Sequence, residues 1–131
     1  MLRRTARHVS QAYDNALSAV GLKASQYMVL AHVARTEGLT ITELARRLGL
    51  DRTTLTRNLR PLVNAGWIRS SDASDRRARA LYATESGRDL VTRAKPLWRK
   101  AEDAFRGSMK KSDVAELRRL LDLVLARTQA Q

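Results

Sequence analysis

The sequence predicts a mainly α-helical fold with one small β-hairpin, built as a single domain. Apolar residues recur at intervals of three and four through most of the 131 residues, which is the period of amphipathic helices. Only after Gly66 does the pattern change to short runs typical of strands. The hydrophobic fraction of 44% is sufficient to build a core, and no linker is long enough to separate two domains. We therefore expect one domain over residues 1–131.

Two amphipathic helices open the chain. The first is predicted over residues 2–20, and Gly21 ends it. Ser25 is the expected cap of the second helix, which carries Met28 among its apolar positions and stops before Gly38. Both helices have one apolar face, so we expect both to pack on the core.

Two shorter helices follow. Thr40 to Glu43 has the pattern of a capping box, in which a threonine and a glutamate satisfy backbone donors at the start of a helix. That helix is predicted over residues 41–48, and Gly49 ends it. Asp51 caps the fourth helix, whose inward positions are expected to be Leu55, Leu59, Leu62 and Val63.

A hairpin and two further helices complete the prediction. Residues 67–70 and 80–83 are short strand-forming runs, and the polar, basic segment between them indicates a hairpin with a long loop. Thr84 caps a long helix that Pro96 is expected to kink or divide. Ser112 is the expected cap of the last helix.

The third and fourth predicted helices have the layout of a helix-turn-helix. Ala45 is small enough to let the second helix approach the first, Gly49 takes the turn, and Leu55 fills the angle between the helices. Asn58 is polar where many such motifs are apolar, but Leu59 can supply that contact. A plain helical hairpin would satisfy the same spacing, so the packing pattern alone leaves both interpretations open.

The exposed face of the fourth helix indicates what this motif binds. At about 100° per residue, Thr53, Thr56, Arg57 and Arg60 form one stripe opposite the leucines, and the stripe contains no acidic residue. In a DNA major groove, arginine pairs with guanine, and threonine contacts bases, thymine methyl groups or phosphates. This composition favours DNA over plain solvent exposure.

The charge of the chain agrees with a polyanionic partner. There are 25 basic and 13 acidic residues, which give a net charge of +12. A generally solvated, arginine-rich surface would carry the same charge, so charge alone does not identify the partner. Within the hairpin loop, Arg76 and Arg77 could enter a minor groove, where the negative potential favours arginine; a solvated turn is the alternative.

The order of these elements resembles the MarR family of winged-helix transcriptional regulators, over nearly the whole chain. The motifs that carry the resemblance are Thr42-Glu43-Leu44-Ala45, the segment from Leu59 to Gly66, and Asp75-Arg76-Arg77 followed by Leu81, Thr84-Glu85 and Gly87. The resemblance implies a homodimer on a pseudo-palindromic DNA site, most often acting as a repressor. Residues 1–20 and 88–131 would then form the dimerisation helices, and residues 25–84 the winged helix-turn-helix.

The resemblance also implies roles for individual residues. Thr53, Thr54 and Arg57 would contact the major groove, although the helical phase leaves Thr54 at the edge of the stripe. Arg77 would enter the minor groove, held by Asp75, with Arg76 on phosphate. The expected DNA contacts are, in full, Arg52, Thr53, Thr54, Thr56, Arg57, Arg60, Asp75, Arg76 and Arg77. The expected dimerisation residues are Leu2, Val9, Val114, Leu117, Leu121 and Val124.

The chain departs from the family pattern at three points. Pro61 lies in the fourth helix, where it frees the carbonyl of Arg57 and is expected to bend the helix beyond its base-reading turns. Ala83 replaces a larger apolar residue, so looser packing is expected under the wing. The absence of cysteine means that the peroxide-sensing branch of the family does not apply.

Members of this family often release DNA when a small aromatic or phenolic anion binds between the dimerisation helices and the winged helix. The resemblance therefore makes Tyr13, Tyr27, His32 and Trp98 candidates for lining such a site, although each residue type is more often plain core or surface.

Other function classes are disfavoured. The sequence has no Ser/His/Asp arrangement, phosphate-cradling glycine loop or HExxH motif, so we expect no enzyme activity, no cofactor and no metal site. With neither an apolar run of membrane-spanning length nor a signal peptide, the expected location is the cytoplasm, away from membranes. Two alternatives remain: an architectural winged-helix protein that binds nucleic acid without base specificity, and an adaptor that contacts an acidic protein partner.

Overall fold

A computed structural model describes residues 1–72, 74–75 and 78–129 of the chain. Within these residues lie six α-helices and three short strands: α1 Leu2–Leu17, α2 Ala24–Arg35, β1 Leu39–Thr40, α3 Ile41–Leu48, α4 Arg52–Asn64, β2 Ile68–Ser70, β3 Ala80–Ala83, α5 Glu85–Gly107 and α6 Lys111–Gln129. A 3₁₀ turn over Ser18–Val20 extends α1 to Gly21, whose φ of 73° ends it in the left-handed region. The predicted mainly helical class is confirmed. None of the helices within the described ranges is long and apolar enough to cross a membrane.

The sheet has one strand more than the predicted hairpin. The strand order is β1-β3-β2, and both pairings are antiparallel. Leu39 lies opposite Leu81 in the added pairing, next to a hydrogen bond from the Gly38 N–H to the Leu81 carbonyl at 3.0 Å. A strand of two residues has no period that a sequence pattern could reveal, so β1 was missed.

The hydrophobic core is continuous from α1 through α2, the helix-turn-helix and the sheet to α5. Its fully buried side chains include Leu17, Leu30, Leu55, Leu62 and Leu90. Helix α5 packs against α1, α2 and β3, so the long helix touches both the amino-terminal helix and the wing. No residue of α6 is buried, which leaves that helix outside the core.

Two predicted helix caps are wrong. Helix α2 begins at Ala24, before Ser25, because the Ala24 N–H donates to Asp14 Oδ1 at 2.7 Å and the Lys23 N–H donates to Gln26 Oε1 at 2.9 Å. Helix α6 begins at Lys111, so Ser112 lies inside its first turn.

Two further expectations need correction. Met28 and Val63, which were expected to face the core, are 38% and 44% exposed. Pro96 does not divide the long helix, because α5 runs continuously over its 23 residues. Helix α4 continues through Pro61 to Asn64, so the expected bend at Pro61 stays a prediction.

Candidate nucleic-acid interface

The helix-turn-helix is built from local interactions that the sequence predicts. Thr40 accepts a hydrogen bond from the Glu43 N–H at 3.2 Å, and its hydroxyl donates to Glu43 Oε1 at 3.1 Å, so the two residues start α3 together. Gly49 then takes a φ of 66°, in the left-handed region that favours glycine, and reverses the chain after Leu48. Ala45 and Leu55 are buried where α3 and α4 meet, as predicted. These contacts fix the orientation of α4 relative to α3.

Helix α4 presents a polar face of hydroxyls and guanidinium groups to solvent. Arg52, Thr53, Thr56, Arg57 and Arg60 are all exposed. On the opposite side lie the buried side chains of Leu55, Leu59 and Leu62, and Leu59 supplies the inward contact that the half-buried Asn58 does not. The helix itself contains no acidic residue. Such a surface offers donors and positive charge to a phosphate backbone and to the edges of bases.

The start of α4 is held by one carboxylate. Asp51 Oδ1 accepts from the Thr54 N–H at 2.7 Å, and Asp51 Oδ2 accepts from the Thr54 hydroxyl at 3.0 Å. These hydrogen bonds, the one from the Thr54 backbone first, hold the pKa of Asp51 below its usual value, and Arg57 lowers it further. Asp51 is therefore confirmed as the N-terminal cap of α4, as the sequence predicts. Thr54 differs from the other candidate contacts because it is half-buried and its hydroxyl is already engaged.

The wing presents a second basic surface. Arg69 pairs with Tyr82 across β2 and β3, and its guanidinium carbon lies 4.5 Å from the centre of the Tyr82 ring. The electron-rich face of the ring attracts the guanidinium and holds it at the surface of the wing. Sequence reasoning missed this pair because it depends on the strand register.

The tip of the wing is only partly described. Asp75 is exposed, and its backbone carbonyl accepts from the Ala78 N–H at 3.1 Å. Arg76 and Arg77, the predicted wing contacts, lie outside the described residues.

The junction between the wing and α5 explains the Thr84-Glu85-x-Gly87 motif. The Thr84 hydroxyl donates to the Gly66 carbonyl at 2.6 Å, and its oxygen accepts from the Gly87 N–H at 3.1 Å. Gly87 packs directly on Trp67, where an added Cβ would lie 2.1 Å from the Trp67 carbonyl oxygen. The motif thus joins the end of α4, the wing and α5 by backbone contact.

The candidate effector residues only partly come together. The Trp98 ring lies between two tyrosines, 4.5 Å from Tyr13 and 5.0 Å from Tyr27 between ring centres. The Tyr13 hydroxyl donates to Glu102, and burial, reinforced by that carboxylate, raises the pKa of Tyr13. Burial also raises the pKa of Tyr27. His32 makes no ring contact with this stack within the described residues, and its Nδ1 lies 2.8 Å from the Met28 carbonyl oxygen.

Two open grooves border the stack and the last helix. One, of about 530 Å³, runs between α1 and α5. It is lined by Val9, Ala12, Tyr13, Ala16, Leu97, Lys100, Ala101, Ala104 and Phe105. The other, of about 1020 Å³, lies between the end of α5 and α6.

The predicted dimerisation residues lie on surfaces that this single chain leaves uncovered. Leu2, Leu121 and Val124 are exposed, and Val9, Val114 and Leu117 are half-buried. Helix α6 also exposes Leu120, Leu123 and Leu125.

Comparison with known proteins gives a consistent assignment. A family model described as the MarR family matches residues 20–78. The chain is 37% identical over 81 residues to the HTH-type transcriptional regulator TtmR of Methylorubrum extorquens; the match covers 61% of this chain and only 42% of TtmR.

Two solved structures are similar over nearly the whole chain. The Mycobacterium tuberculosis transcriptional regulator MosR in complex with DNA is 34% identical, with a TM-score of 0.87 over 98% of this chain and 93% of MosR. CouR from Rhodococcus jostii RHA1, bound to p-coumaroyl-CoA, is 28% identical, with a TM-score of 0.77 over 95% of this chain and 88% of CouR. The chain therefore belongs to the MarR family of transcriptional regulators, which are not enzymes, and has their DNA-binding winged-helix fold.

Proposed function

We propose that the protein is a sequence-specific repressor that binds a pseudo-palindromic DNA site as a homodimer in the cytoplasm. The observation that carries the proposal is the exposed face of α4, where two threonines and three arginines lie together with no acid in the helix. In this proposal α4 enters the major groove, and the wing reaches the adjacent minor groove through Arg77, with Asp75 and Arg76 in support. The structure of MosR, which has the same fold, was solved in complex with DNA, and this supports DNA as the partner.

The dimer is proposed from the uncovered apolar surfaces. Helix α6 buries no residue, yet it exposes five large aliphatic side chains between Leu120 and Leu125. A row of this kind is unfavourable in water unless a second surface covers it. Residues 1–20 and 88–131 would form the covered helices, and residues 25–84 would be left free to bind DNA.

The proposed effector is a small aromatic anion that releases the protein from DNA. The groove between α1 and α5 has mostly apolar walls, one cationic side chain, Lys100, and the edge of the aromatic stack at Tyr13. These features fit an aromatic ring with a negative charge. The p-coumaroyl-CoA complex of CouR supports an aromatic ligand, since that compound carries a phenolic ring.

Fluorescence anisotropy tests DNA recognition. The protein is titrated onto the DNA upstream of its own gene and onto a shuffled duplex, over a series of salt concentrations. A regulator should prefer its site by about 10³ or more at one salt concentration. Equal affinities that fall together with salt would instead reflect counterion release from the +12 charge and would favour the architectural alternative.

The same assay tests the effector. We expect p-coumarate or p-coumaroyl-CoA, but not coenzyme A, to release the bound DNA. The Lys100→Ala variant should need more ligand, whereas Lys23→Ala, an exposed lysine before α2 and outside the proposed dimer and DNA surfaces, should respond as the unchanged protein does. Failure of both aromatic compounds to release DNA would remove an aromatic anion of this type from the proposal.

A further inference from the structure

Thr54 differs chemically from the two threonines on the exposed face of α4. Its hydroxyl donates to Asp51 Oδ2 at 3.0 Å, while its backbone N–H donates to Asp51 Oδ1 at 2.7 Å. An ionised carboxylate can only accept hydrogen bonds. The hydroxyl hydrogen of Thr54 is therefore committed to Asp51, and only the lone pairs of the oxygen remain for another partner.

The hydroxyl groups of Thr53 and Thr56 can still either donate or accept a hydrogen bond. Within the part of the chain that the structure describes, neither hydroxyl has a hydrogen-bond partner, and both side chains are exposed. A free hydroxyl rotates to suit its partner, so it donates to an acceptor or accepts from a donor equally well. These two threonines therefore have no built-in preference between base edges, whereas Thr54 has one.

Bases in the major groove differ in whether they donate or accept a hydrogen bond, and Thr54 has lost the ability to donate. Adenine N6 and cytosine N4 carry amino groups that donate, whereas guanine O6 and thymine O4 only accept. We propose that Thr54 is a specificity-determining residue that accepts a hydrogen bond from an adenine or cytosine amino group, and that Asp51 sets this polarity by holding the hydroxyl hydrogen. The inference rests on the proposed function, since it requires α4 to lie in the major groove.

The charge of Asp51 acts in the same direction. Its carboxylate is exposed beside Thr54, and it repels the oxygen of a guanine or thymine as well as any phosphate placed there. Thr54 is consequently unsuited to hold a phosphate, and its contribution is to base discrimination rather than to general affinity.

Three variants separate this role from helix capping. T54V removes the hydroxyl at nearly constant shape, and T54S retains it. D51N keeps an acceptor for the Thr54 N–H, since asparagine caps helices as well as aspartate does. Its amide nitrogen then donates towards the Thr54 oxygen, which frees the hydroxyl hydrogen for DNA. Selection from a pool of duplexes with a random centre gives the preferred site of each variant, and anisotropy on single-base variants of that site gives the affinities.

We expect the unchanged protein and T54S to prefer adenine or cytosine over guanine or thymine at one base pair in each half-site, by about tenfold. T54V should lose that preference while it binds shuffled DNA as before. D51N should also lose the preference, because the freed Thr54 hydroxyl can then donate as well as accept. D51N should in addition bind shuffled DNA more tightly, because a negative charge has been removed.

Each contrary result has a separate meaning. If T54V selects the same site as the unchanged protein, the hydroxyl serves only the helix cap and the inference is overturned, while sequence-specific binding stands. If the unchanged protein selects no site at all, both the inference and the proposed function fail. Thermal unfolding of each variant shows whether a loss of binding comes from a loss of fold.

Discussion

The contact between Gly87 and the turn after α4 should make Gly87→Ala strongly destabilising. A Cβ at this position would lie 2.1 Å from the Trp67 carbonyl oxygen and 3.0 Å from its carbonyl carbon. Ordinary contact begins at 3.4 Å, so α5 and the turn would have to separate by roughly 1.3 Å. The obstacle is backbone on both sides, which no side-chain rotation relieves.

The loss of stability caused by Gly87→Ala can be estimated from three contributions. Overpacking in a well-packed site typically costs about 1–3 kcal/mol. The separation would also stretch the hydrogen bonds from Thr84 to the Gly66 and Trp67 carbonyls, each of which contributes about 1 kcal/mol. Replacing glycine with alanine in a helix returns at most about 1 kcal/mol. We expect the free energy of unfolding to fall by about 3 kcal/mol.

Urea unfolding followed by circular dichroism measures this change, and the chain supplies a matched control. Gly107 is also a glycine of α5, but nothing lies within 4 Å of an added Cβ there. Gly107→Ala should therefore be neutral or slightly stabilising. If Gly87→Ala unfolds at the same urea concentration as the unchanged protein, the close approach of α5 to Trp67 is not a constraint and the reasoning is refuted.

Three further predictions concern DNA binding, assembly and pH. Arg57→Ala should cost about 1–3 kcal/mol in binding and relax specificity at one base pair in each half-site, measured by anisotropy on site variants; an equal loss on all sequences would contradict a major-groove role. Leu117→Asp combined with Leu121→Asp should give monomers in sedimentation that no longer bind DNA, and an intact dimer would rule out this seam. Burial raises the pKa of Tyr13 above its usual 10.0, so the folded state binds the phenolic proton more tightly than the unfolded state does. Stability is therefore fully present below pH 10 and falls as pH rises above it. Tyr13→Phe should show a shallower fall in urea unfolding, and an unchanged slope would contradict the effect.

Helix capping and hydrophobic periodicity make much of the fold predictable from the sequence, because both depend on residues close together in the chain. Thr40, Gly49, Asp51 and Thr84 stand where the structure places the helix ends, and the leucines of α4 face inward opposite its polar stripe. Each of these features depends on neighbours within about four positions, so residue order is sufficient to predict it. The exceptions, Ser25 and Ser112, show the limit. At the start of α2, the Ala24 N–H donates to Asp14, a residue of the preceding helix, and Ser25 is not the cap.

The candidate interface also has features that the sequence predicts and features that depend on tertiary packing. The sequence by itself determined which residues form the exposed face of α4, because helical phase follows from spacing alone. Only the tertiary structure decided that β1 completes the sheet, that Trp98 stacks between Tyr13 and Tyr27, and that Gly87 must remain a glycine. These contacts join segments far apart in the chain, and they form only where the packing of the core brings those segments within a few ångströms of each other.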